Sequence, residues 1–210
     1  CPLPDGVESW TVAEHAADLE AVVRRHTRAP IVVGSSFGAV CVLEMVRSTP
    51  DLVRGMVLIE PPLPESDEAP PMPESYLETF DRLRSEVDGP AAGAFFLRTV
   101  LGKEAFEAMP TRWRERSAAT FASIRLDSEA LMAYVPRYSE LGSLEVPALL
   151  LGGGRSAPHF RATLRTLERA LPRAEVEIIP SAGHMLHAES ARTFARLLEA
   201  FSERLGGDPA

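Results

Sequence analysis

The sequence predicts an α/β fold, a mostly parallel sheet flanked by helices, on three observations. Short apolar runs rich in β-branched residues recur without polar alternation, the pattern of strands covered on both faces. Segments with helical apolar spacing separate them. Pro and Gly clusters stop nearly every run.

Taken in order, Thr11-Val12-Ala13-Glu14 matches a capping box, and Ala16, Leu19 and Val23 continue at helical spacing, so residues 11–27 are predicted helical. Ile31-Val32-Val33 follows Pro30 as the first strand. Gly34-Ser35-Ser36-Phe37-Gly38 leads from it into an apolar helical stretch, 39–48, closed by Pro50. Residues 53–60 form a second predicted strand, stopped by Pro61-Pro62. A third covers 146–151, stopped by Gly152-Gly153-Gly154, and a fourth covers 175–179, stopped by Pro180. Phe160, Leu164, Leu167 and Leu171 mark a helix between the last two strands, and Phe194, Leu197, Leu198, Phe201 and Leu205 mark the final helix.

The stretch between the second and third strands differs in character. It opens with a proline-rich acidic linker, 61–73, expected to be too polar and kinked to pack as a core element. Helical segments are expected after it, carrying Tyr76, Phe80, Leu83 and Val87; then Phe95, Phe96 and Val100; then Trp113, Phe121 and Ile124; then Leu131, Val135 and Tyr138. Residues 1–60 and 147–210 are thus expected to form the core and 61–146 a helical lid, since ligands of open α/β sheets bind at the carboxyl ends of strands.

Composition bounds the chemistry. With 210 residues, 45% hydrophobic, 25% charged and a mean hydropathy of −0.03, the chain has the make-up of a globular domain with a sizeable core. A net charge of −8 without a dense basic run argues against nucleic acid as a partner. No apolar stretch is long enough for a membrane span, and two cysteines make no disulfide framework, so a reduced, cytoplasmic protein is expected.

Gly34-x-Ser36-x-Gly38 fits a nucleophile elbow, a tight strand-to-helix turn that lifts a serine oxygen above the sheet. Both glycines are expected to be required, because a side chain at either would collide in so tight a turn. The competing reading is a glycine-rich turn with an idle serine. A serine nucleophile needs a base, and His184 is the candidate, lying in the loop after the fourth strand. His15 and His26 are expected on the first helix and His187 in the first turn of the last helix; lining the pocket is the less favoured reading of His159.

No Asp or Glu lies between Pro147 and Leu167, so the loop after the third strand supplies no acid. Glu60 ends the second strand, and the order Ser36, Glu60, His184 is that of a serine, acid, histidine triad. The plainer role for Glu60 is solvating a strand end. Cys41 reads as a small core residue. Cys1 could act as an N-terminal nucleophile, but no base near Pro2-Leu3-Pro4 supports that role.

These pieces together resemble the α/β-hydrolase superfamily: the run from Ile31 to Ala39, the helical insertion, Val146 to Gly152 as the penultimate strand, and Ala182-Gly183-His184 before the final helix. The resemblance implies acyl transfer on ester or thioester bonds, with Ser36 as nucleophile, His184 as base, Glu60 orienting the imidazole and the Phe37 backbone N–H donating to the oxyanion. It implies no metal and no cofactor, and a small-molecule substrate. Tyr76, Phe80, Phe95, Phe96, Trp113 and Tyr134 are read as apolar surface near the site, so a substrate with an apolar part is expected; the alternative is that these aromatics only pack the lid onto the sheet. The acid usually follows the penultimate strand; in some relatives, including certain haloalkane dehalogenases, it sits one strand earlier, as Glu60 does. The resemblance also implies some four further strands and a second oxyanion donor ahead of Ile31. The chain, which begins at Cys1, is accordingly expected to be the C-terminal portion of a longer hydrolase with little activity alone. A non-catalytic ligand-binding member of the same fold is the alternative.

Overall fold

The computed structural model describes residues 6–69, 78, 82–83 and 89–206. The region expected to be a helix through Tyr76, Phe80 and Val87, and the Cys1 terminus, lie outside the described residues. The chain divides into two compact units: 12–69 with 135–210, and 1–11 with 70–134.

The first unit is built on four parallel strands, β1 (Ile31–Ser35), β2 (Gly55–Ile59), β3 (Ala148–Gly153) and β4 (Ala174–Ile179), in the order β1-β2-β3-β4. All three pairings are parallel because a helix-bearing connection carries the chain back between successive strands. The helices of this unit include α1 (Val12–His26) before β1, α2 (Phe37–Ser48) after it, α7 (Pro158–Ala170) between β3 and β4, and α9 (Ala191–Arg204) at the end. Side-chain parity divides the two faces. On one face Val57, Ile59, Leu149 and Leu151 pack with Phe201, and Phe194, Leu197, Leu198 and Leu205 of α9 close over them. On the other face a Cβ at Gly34 would meet Ala39 of α2, and one at Gly152 would meet Leu164 of α7, so these two helices cover that side. β2 and β3 are buried along their whole length, which explains their unbroken apolar sequences.

β1 departs from the expectation of full cover. Val33 is 44% exposed, and Ile31 and Val32 are only half-buried. Parity puts Val33 on the α9 face, but it lies outside the core that packs against α9 on the central strands and stays partly exposed. β4, the opposite edge, is half-buried along most of its length, exposes Glu177 and buries Ile179.

The segment after β2 also differs from its expected character. Pro61, Leu63 and Pro64 are buried, and the Thr163 hydroxyl donates to the Leu63 carbonyl at 2.8 Å. The Tyr138 hydroxyl donates to the Pro64 carbonyl at 2.6 Å, and the Tyr138 N–H donates to Asp67 at 2.9 Å. Residues 61–69 and 135–143 are therefore stitched together as part of the sheet unit. The helix expected to run through Val135 and Tyr138 ends earlier, at Met132, and Arg137 takes a left-handed φ of 54° before a 3₁₀ turn, Tyr138–Ser143.

The second unit contains α3 (Gly89–Leu101), α4 (Lys103–Ala108), α5 (Thr111–Ala118) and α6 (Phe121–Met132). Ala92 and Phe121 form its small core with Leu83, Phe96 and Ile124 beside them, whereas Phe95 and Trp113 are exposed. Gly93 is needed where α3 crosses α5: a Cβ there would lie 2.1 Å from the Ala118 carbonyl oxygen. Burial pushes Asp127 up to about 6, with a hydrogen bond from Trp10 opposing the rise. Among the described residues no helix is long and apolar enough to cross a membrane.

Two predictions follow from these local environments. A Cβ at Gly34 would sit 2.4 Å from the Gly38 carbonyl oxygen, but one at Gly38 would meet nothing within 4 Å. Gly34→Ala is therefore expected to cost about 1–3 kcal/mol or more in urea unfolding, and Gly38→Ala to stay within about 0.5 kcal/mol of wild type. For Asp127 the folded state binds the proton more tightly than the unfolded state, so its contribution is present at low pH and is lost as pH rises through about 6. Asp127→Asn should raise stability at pH 8 relative to pH 5; an unchanged difference in thermal midpoint between the two pH values would refute this.

Candidate active site

The site is assembled at the carboxyl ends of adjacent strands. Ser35 pairs with Ile59 in register, so Ser36 and Glu60 leave neighbouring strands at the same level. The Ser36 N–H donates to the Ile59 carbonyl at 2.8 Å, and the Glu60 N–H donates to the Leu151 carbonyl at 3.1 Å. Both residues then turn sharply through positive φ, 53° at Ser36 and 42° at Glu60. Non-glycine residues held there cost of order 1–3 kcal/mol each, and such conformations gather at functional sites where the surrounding structure enforces them. At Ser36 the turn delivers the chain directly into α2, leaving the Phe37 N–H in the first helical turn, where donors have no intrahelical acceptor.

The turn between β1 and α2 differs from its expected form at one glycine. Gly34 is required by the return of the α2 backbone, as argued from the sequence, but Gly38 faces open space and is not required for steric reasons.

Glu60 and His184 meet. The Glu60 carboxylate, 1% exposed, lies with Oε2 2.7 Å from Nδ1 of His184, and its Oε1 accepts the Gly153 N–H at 2.7 Å. A neutral imidazole that donates from Nδ1 to an ionised carboxylate keeps Nε2 free to accept a proton. The ring itself is 5% exposed and stacks on Phe160, with centroids 4.6 Å apart and planes 19° from parallel. The Ser36 hydroxyl and the imidazole form no hydrogen bond among the described residues.

The other histidines take lesser positions. The His15 ring meets Phe37 edge-on at 5.2 Å, and His26 is exposed. His159 touches Phe160, and burial of part of its ring lowers its pKa, with Glu60 opposing and His184 reinforcing. His187 lies in a separate short helix, α8 (Leu186–Glu189), rather than in the last helix, because Ser190 breaks the two apart. Burial and then His184 lower its pKa, against the pull of Glu189. Cys41 is a buried thiol in α2. Among the described residues no group of three His, Cys, Asp or Glu side chains is placed to hold a metal ion.

The Phe160 stack and the Gly153 N–H were not foreseen from the sequence. The signal for the second was present: Gly152-Gly153-Gly154 reads as a strand stop, but three successive glycines also mark close backbone approach.

A family model described as "Alpha/beta hydrolase family" matches residues 3–197. The chain belongs to the alpha/beta hydrolase family. Solved structures agree at the level of fold. A thermophilic esterase superposes with a TM-score of 0.69 at 20% identity, covering 96% of this chain and 77% of that one. A thermophilic esterase from Thermogutta terrifontis reaches 0.76 at 20% identity, covering 94% and 74%. MenH from S. aureus reaches 0.74 at 14% identity, covering 97% and 79%. Among curated proteins, one from Bacillus subtilis (strain 168), named for a 2-succinyl-6-hydroxy-2,4-cyclohexadiene-1-carboxylate synthase, is 33% identical over 64 residues, 30% of this chain. That match spans only 23% of the relative's length. In this alpha/beta hydrolase the carboxylate meeting the histidine comes from the end of β2, and the last residue of β3, Gly153, supplies a backbone donor to it.

Removing the Glu60 carboxylate leaves the buried Gly153 N–H without its acceptor. Glu60→Ala should cost about 1–3 kcal/mol in urea unfolding for that group alone, whereas Glu60→Gln, which keeps an acceptor oxygen, should cost less. Equal losses for the two variants would show that the Gly153 bond does not matter.

Proposed function

We propose that the protein is a serine hydrolase cleaving ester or thioester bonds through an acyl-enzyme, with Ser36 as nucleophile, His184 as general base and acid, and Glu60 as the group that orients and stabilises the imidazole. The observation that carries this reading is the buried 2.7 Å contact between Glu60 Oε2 and His184 Nδ1, beside a serine held at positive φ on the neighbouring strand end. In this reading Ser36 Oγ attacks the substrate carbonyl and its proton passes to His184 Nε2. The imidazolium then gives that proton to the leaving group, and water resolves the acyl-enzyme by the same path in reverse. Oxygen charge that develops in the tetrahedral intermediate faces the Phe37 N–H. The hydroxyl–imidazole hydrogen bond, absent in the free protein, forms when substrate is bound, as is common for catalytic contacts.

Membership of a hydrolase family supports the reaction class, and the esterase relatives support a carboxylic substrate. No metal or cofactor enters the proposed steps.

The test is covalent labelling with a fluorophosphonate probe, followed by turnover of a panel of ester and thioester substrates. Labelling is expected in wild type, abolished in Ser36→Ala and reduced about 100-fold or more in His184→Ala. Glu60→Gln should lower kcat by about 100- to 10,000-fold, because an amide does not stabilise an imidazolium. A folded protein that takes up no probe overturns the enzyme reading in favour of a ligand-binding role. Labelling without ester or thioester turnover would favour instead chemistry of the kind the Bacillus subtilis relative is named for.

A further inference from the structure

His184 lies in an irregular loop between β4 and α8, so no ladder of main-chain bonds fixes it. What holds that loop is the loop after β3. The Gly154 N–H donates to the Ile179 carbonyl at 2.9 Å and the Arg155 N–H to the Ala182 carbonyl at 2.9 Å. The two backbones are so close that a Cβ at Gly153 or Gly154 would lie 2.5 Å from the Gly183 or Pro180 carbonyl oxygen, respectively. One side-chain bridge completes the clamp: Glu189 Oε2 accepts the Gly183 N–H at 3.0 Å and the Arg155 guanidinium at 2.6 Å.

We propose that Arg155 and Glu189 are a positioning pair that sets the backbone of His184, a role that rests on the serine-hydrolase reading above. Neither touches the reacting atoms. The guanidinium holds the Glu189 carboxylate in one orientation, and the carboxylate holds the peptide N–H one residue before the histidine. With that peptide fixed from both sides, by Glu189 at Gly183 and by Arg155 N–H at Ala182, the His184 Cα enters the site at a single angle, and its ring reaches Glu60 and Phe160 without strain.

Magnitudes separate this role from a merely structural one. The Arg155 side chain is 57% exposed and that of Glu189 is 19% exposed. Ion pairs this exposed contribute little to global stability. Misplacing a catalytic group by about 1 Å costs on the order of 100-fold in rate. Loss of the bridge is therefore expected in turnover and not in the melting temperature.

The experiment compares Glu189→Ala, Glu189→Gln and Arg155→Met with wild type in ester hydrolysis, fluorophosphonate labelling rate, thermal midpoint and amide hydrogen exchange. Glu189→Ala should lower kcat about 10- to 100-fold with KM within about twofold. Glu189→Gln, whose amide oxygen still accepts the Gly183 N–H, should recover most of the loss, and Arg155→Met should fall between them. Wild-type kcat and labelling rate in Glu189→Ala overturn the proposal. So does a loss that follows the thermal midpoint, or one that Glu189→Gln does not relieve. If wild type itself takes up no probe, the serine-hydrolase reading fails instead. The pair is then judged by exchange at the Gly183 and His184 amides, where an increase of about 10-fold or more in Glu189→Ala supports the clamp and no change removes it.

Discussion

The rest of the site hangs on one buried carboxylate. Glu60 satisfies three demands at once: its backbone ends β2, its Oε1 takes the Gly153 N–H at the end of β3, and its Oε2 takes His184 from the loop after β4. A carboxylate that is 1% exposed is costly to bury unless its oxygens are occupied, and here each oxygen has a donor. The three strand ends are consequently held in a fixed spacing by a group that is also placed to do chemistry. The left-handed φ at Glu60 belongs to the same arrangement, since an extended residue there would continue the strand and carry the side chain out of the crevice.

Much of this was legible because it is governed by local pattern. Unbroken apolar runs marked β2 and β3, and the helical spacing of Leu164 and Leu167 marked α7, because both patterns report burial directly. Glu60 emerged by exclusion of other acids and by its place at a strand end. Features that depend on partners distant in sequence were not legible. Val33 has the composition of a covered strand, yet its exposure depends on where α9 lies. Leu63 sits in an acidic, proline-rich stretch whose burial depends on Thr163, a hundred residues on. Gly38 matches the elbow pattern as well as Gly34 does, and only the path of the backbone distinguishes the glycine that is sterically required from the one that is not. Glu189 carried no signal, because a lone glutamate near a serine reads as surface.

Strain and support are divided between different parts of the crevice. Ser36 and Glu60, on adjacent strand ends, hold unfavourable backbone angles, and buried parallel pairing on β2 and β3 resists their relaxation. The histidine is not strained but is set in a loop, and the glycine-rich turn after β3 lets a second loop press against it. The strand ends thus carry Ser36 and Glu60, the proposed nucleophile and acid, while His184, the proposed base, depends on side-chain and backbone bonds from a neighbouring turn.

The stitch made by Tyr138 has a consequence for how such a protein can diversify. By tying its own residue to Pro64 and Asp67, it makes residues 61–69 and 135–143 a closed stem within the sheet unit, and β2 and β3 meet beyond that stem in a fixed register. Whatever the stem encloses enters and leaves at one clamped place. Closing a loop of twice the length costs only about 0.6 kcal/mol more, so the enclosed segment is free to lengthen, shorten or change sequence with little effect on strand pairing. That segment can therefore vary as an interchangeable cassette while the pairing of the strands and the arrangement at their carboxyl ends stay as they are.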